Sequence, residues 1–88
     1  MNDDATVLAH YLGLLEAIRV GAELMAQDEE ERAPMAKRLK LAQEILKAHE
    51  ELQEPGSPFK DKLKSEDAAT VLKAQMIVTF KPVSRSVM

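Results

Sequence analysis

The sequence predicts an all-α fold: a long antiparallel helical hairpin, a shorter third helix, and an irregular or short strand-like C-terminal tail. Three observations carry this prediction. Leu, Ala, Glu, Lys and Gln, all good helix formers, dominate the composition. Apolar residues recur at spacings of three and four over two long stretches. The Pro55-Gly56-Ser57-Pro58 cluster then breaks the chain. The 88 residues form one domain, with the hairpin in 1–54 and the linker, third helix and basic tail in 55–88.

The first helix is expected over about Asp4 to Gln27. Asn2 to Asp4 offer cap residues and negative charge at the positive end of the helix dipole. Leu8, Tyr11, Leu15, Ile18, Ala22 and Met25 form a seam. Val7, Leu12, Leu14, Val20 and Leu24 widen it until only a narrow polar row is left: Asp3, Thr6, His10, Glu16, Arg19, Glu23 and Gln27. A helix apolar around most of its circumference is expected at the centre of a fold. Within it, Ala5, Ala9, Gly13, Ala17 and Gly21 recur every four residues. Two interior glycines cost a helix about 1 kcal/mol each relative to alanine. Their use would be a shallow groove into which another helix packs closely.

Asp28 to Glu31 reads as a solvated turn leading into the second helix, where its charge favours the next dipole. Pro34 suits a first helical turn. The second helix is expected over about Ala33 to Gln53. Its inner face is Met35, Leu39, Ala42, Ile45, Leu46, His49 and Leu52, with Leu41 beside it. Its outer face carries Lys37, Lys40, Glu44, Lys47, Glu51 and Glu54. Similar lengths and a short connection make the pair antiparallel.

Beyond the break, Ser57 and Pro58 could open a short helical turn reaching Leu63. Ser65-Glu66-Asp67 reads as a helix start, with Val71, Leu72 and Met76 turned inward. Met76 to Phe80 is apolar and β-branched, so it either extends the helix or forms a strand, and Pro82 stops either one. Residues 83–88 read as loose.

Several function classes are excluded or disfavoured. Without cysteine there is no disulfide, thiolate metal site or cysteine nucleophile. The start of the chain lacks the basic region of a signal peptide, and its longest uncharged stretch is too short to span a bilayer. The expectation is a cytoplasmic protein with no membrane partner. Gly13, Gly21 and Gly56 are isolated, so no phosphate loop is present. No His-Glu-x-x-His or Glu-x-x-His motif surrounds His10 or His49. An antiparallel hairpin sets these two histidines at similar heights, which admits a small metal or ligand site, but His10 lies on the polar row and His49 on the apolar face. No enzyme, cofactor or metal is expected.

Charge divides along the chain. Residues 1–54 carry six Lys/Arg against twelve Asp/Glu, and residues 55–88 carry six against three. The acidic body disfavours phosphate binding. The basic third (Lys60, Lys62, Lys64, Lys73, Lys81 and Arg85) is interrupted by acids, and only Tyr11, Phe59 and Phe80 are aromatic. Nucleic acid is therefore a secondary reading, as an associated regulator.

The primary reading is a non-enzymatic protein–protein interaction module of the adaptor, co-chaperone, inhibitor or assembly-factor kind. Its apolar helical surface exceeds what so short a chain can hide, so a homodimer or another protein partner is expected. Leu8, Tyr11, Leu12, Leu15, Met76 and Phe80 are the expected interface. A closed three-helix monomer would instead make them ordinary core.

Overall fold

The computed structural model describes residues 4–80. Three helices follow in order: α1 (Asp4–Glu31), α2 (Met35–Leu52) and α3 (Ser65–Thr79). No strand occurs among the described residues. The fold class is the predicted one. Tyr11 bonds to Glu54 and Met25 lies beside Met35, so α1 and α2 run antiparallel. Arg19 pairs with Asp67 and Lys73 with Glu29, so α3 returns parallel to α1.

α1 continues four residues beyond its expected end. Asp28 to Glu31 is helix rather than turn. Glutamate is a good helix former, and no glycine or proline interrupts it. The stop comes at Arg32, whose φ of 55° is left-handed. Its amide donates to the Glu29 carbonyl, and the Ala33 amide donates to the Asp28 carbonyl at 2.8 Å. This pair of bonds is the usual glycine-type helix ending, here built on arginine. α2 starts at Met35 with Pro34 at its cap, and the Pro34 carbonyl accepts from the Lys37 and Arg38 amides.

The expected helical turn after Ser57 is a hydrogen-bonded turn at residues 58–61 instead. The Ser57 hydroxyl accepts from the Phe59 amide two residues on, a local bond that competes with helix. Phe59 and Leu63 lie over the core from this loop. The strand-like segment 76–79 extends α3, and Phe80 caps its end. The remainder of the expected tail, residues 81–88, lies outside the described residues.

The core is Leu15, Ile18 and Met25 from α1, Ala42, Ile45, Ala48 and Leu52 from α2, and Val71 and Ala74 from α3. Two expectations need correction. α1 is not the central helix. α2 packs broadly against both neighbours, while α1 presents its outer side to solvent. On α3 the inward stripe is Asp67, Thr70, Val71 and Ala74, so Leu72 and Met76 point outward at 58% and 51% exposure. An offset of one residue rotates a side chain by about 100°.

Candidate functional site

Two apolar surfaces stand out. The first is the outer face of α1. Residues 4–9 are all exposed. Leu8, Leu12, Val20 and Leu24 keep 42–54% of their surface in solvent. Beside them lie Ala5, Ala9, Gly13 and Ala17, also exposed. The small-residue row therefore divides. Gly21 is buried, and a Cβ there would meet Ile45 Cγ1 at 2.6 Å and Cδ1 at 2.7 Å, so it admits α2 closely. A Cβ on Gly13 would meet nothing within 4 Å. α2 lies close at Gly21, while the rest of the row faces outward.

The predicted interface residues separate in the same way. Leu8 and Leu12 sit on the free α1 face. Leu15 is core at 5% exposure. Tyr11 is half-buried and donates its hydroxyl to Glu54 at 3.4 Å. Burial, with Glu54 and Glu51 close by, raises the Tyr11 pKa. Met76 and Phe80 lie at the far end of the bundle, with Met25 and Met35.

That far end holds the second surface. A cleft of about 300 Å³ is lined by Met25, Met35, Met76, Ile77 and Phe80, with Asp28, Glu29, Arg38 and Lys73 among them. Phe80 is 73% exposed. Asp28 is 4% exposed, and Lys37 Nζ lies 3.4 Å from its Oδ1. Its other oxygen, Oδ2, is buried without a hydrogen-bond partner among the described residues, and so is Arg38 Nε. Arg38 Nη2 donates to the Asp28 carbonyl at 3.1 Å. Lys73 Nζ and Glu29 Oε1 pair at 2.8 Å.

Sequence reasoning missed the chief polar tie between helices. The Arg19 guanidinium forks onto Asp67, with Nε to Oδ1 and Nη2 to Oδ2 both at 3.1 Å. The Lys64 amide donates to the same Oδ2 at 3.0 Å. Asp67 thus caps α3 and anchors α1. The Arg19 hydrogen bonds hold its carboxyl below the usual carboxylate range, against burial, with help from the Lys64 amide. The Arg19 pKa rises in return. Such a planar fork is geometrically specific, but an acid two residues after Ser65 reads only as a cap from sequence.

His10 and His49 form no joint site. His10 Nε2 lies 3.6 Å from Glu51, and His49 is half-buried on α2. No metal-binding group of three His, Cys, Asp or Glu occurs among the described residues. No described helix is long and apolar enough to cross a membrane. Of the basic third, Lys60, Lys62 and Lys64 are exposed around the loop and Lys73 is paired with Glu29, while Lys81 and Arg85 lie outside the described residues. The chain matches no protein family, no curated protein and no solved structure.

Proposed function

We propose that this chain is a non-enzymatic helical protein-interaction module that self-associates through the outer face of α1. One observation carries the reading: the longest helix leaves Leu8, Leu12, Val20 and Leu24 in solvent. Leu8 and Leu12 lie one turn apart, as do Val20 and Leu24, with the exposed Glu16 between the two pairs. Large apolar residues exposed together on a small protein mark an interaction site. Gly13 adds weight. An interior glycine weakens a helix by about 1 kcal/mol, and no described residue uses the space it leaves. A second helix crossing there would use it. A two-fold dimer is the simplest assembly, because one patch then serves both chains. A reducing compartment suits a chain without cysteine.

The test is solution mass by light scattering after size-exclusion chromatography. The expected result is twice the 9.8 kDa chain mass for the native protein and the single-chain mass for Leu12→Glu, with an unchanged circular dichroism spectrum. A native chain that runs as a monomer at every concentration sinks the proposal. The alternative of a nucleic-acid-associated regulator draws on fewer free cations, since Lys73 is committed to Glu29.

A further inference from the structure

The cleft at the α1–α2 turn has a chemistry of its own. Its charged lining residues balance, with Asp28 and Glu29 against Arg38 and Lys73. The remaining lining is apolar, and three of its five apolar residues are methionine. Two buried polar atoms of the lining residues have no hydrogen-bond partner among the described residues, the acceptor Asp28 Oδ2 and the donor Arg38 Nε. Buried polar atoms are almost always satisfied, so two orphans of opposite kind beside one cleft call for a partner. A charged ligand would upset the balance of the lining. A neutral segment that presents one N–H and one C=O on the same side answers both orphans, as a single residue of an extended peptide does. Methionine side chains are unbranched, with three rotatable bonds, so they can swing aside and let a ligand reach the covered atoms.

We infer that the cleft lined by Met25, Met35, Met76 and Phe80 receives an apolar side chain of a partner protein's extended peptide segment, whose backbone N–H and C=O bond to Asp28 and Arg38. Its size, about 300 Å³, is at the low end for ligand pockets and suits one or two side chains. Polymethionine walls are common on surfaces that accept varied apolar partners. This inference extends the interaction-module reading to a second surface, one that shares no residue with the α1 face.

The experiment uses the full chain with its methionine methyl groups labelled with carbon-13. The probe is N-acetyl-leucine N-methylamide, and the control is N-acetyl-alanine N-methylamide, which has the same peptide groups and almost no apolar side chain. The expected result is a saturable shift of the Met25, Met35 and Met76 methyl signals in the millimolar range. The leucine probe should bind about tenfold more tightly than the alanine one. Met76→Ser, at an exposed position, should weaken the leucine probe with the fold intact. Shifts that fail to saturate, or equal binding of the two probes, would overturn the proposal. So would a nuclear Overhauser contact from the Met88 methyl to Met25 or Met76 in the free chain, because the cleft would then belong to the chain's own C-terminus. The oligomeric state is read separately, so failure here and failure of the α1 interface are distinguishable.

Discussion

Gly13 and Gly21 lie on one row of α1, yet their surroundings assign them opposite roles. At Gly21 an added methyl group must push into Ile45, which is 1% exposed and stiff at χ1. Overpacking of this kind costs about 1–3 kcal/mol, and the better helix propensity of alanine returns up to about 1 kcal/mol. Gly21→Ala should therefore destabilise by about 1–2 kcal/mol. Gly13→Ala meets open space and should stabilise the single chain by about 0.5–1 kcal/mol. Urea midpoints at low protein concentration check both. Midpoints that move in the same direction would contradict the close approach of α1 and α2. Asp67 supplies the pH-dependent counterpart. Its folded pKa lies below the unfolded value of about 3.9. Between the two values the unfolded chain binds more protons, so stability rises with pH there. The contribution is complete above the unfolded value and is lost as pH falls through the folded one. Asp67→Asn should be less stable than the native chain at neutral pH, with the difference shrinking below about pH 4. A difference that stays constant across a urea series from neutral to acidic pH would show that the Arg19 fork does not contribute in this way.

At the scale of the elements, the legible features were those that a single helix declares by itself. The spacing of Leu15, Ile18 and Met25 gave the buried stripe of α1, and Ala42, Ile45 and Leu52 gave that of α2. On α2 the opposite side is charged, so its inner face had no rival. α1 is apolar on nearly every side, and periodicity alone cannot say which side a neighbour covers. Only the path of α3 along Arg19 and Glu29 leaves Leu12, Val20 and Leu24 uncovered. The end of α1 was illegible for a different reason. Its stop is a left-handed arginine held by two carbonyl bonds, and no residue type announces it. On α3 the inward position of Val71 was legible, but Leu72 and Met76 were misread because Asp67 and Thr70, both polar, occupy buried sites through their hydrogen bonds. The same distinction governs how α1 is probed. Leu12→Glu alters an exposed position, whereas Leu15→Glu would bury a carboxylate in the core and report unfolding, not assembly.

The molecule as a whole has little core to spare. Among the described residues nine apolar ones are buried, and three of them are alanine. Nine large apolar side chains of the described residues remain exposed, from Val7 to Phe80. A chain with that balance gains stability whenever association covers the second set, because whatever binds only the folded form adds to its stability by mass action. Self-association through α1 therefore predicts a thermal midpoint that climbs with protein concentration. For a domain of this size the rise should be a few degrees for each tenfold increase, followed by circular dichroism. Leu12→Glu should abolish the dependence and melt at the lower limit of the native series. If the native midpoint is independent of concentration, the outer face of α1 does not meet its own copy. Its exposed leucines would then be matched to a different protein, and adding that protein would raise the midpoint where adding more of the chain itself did not.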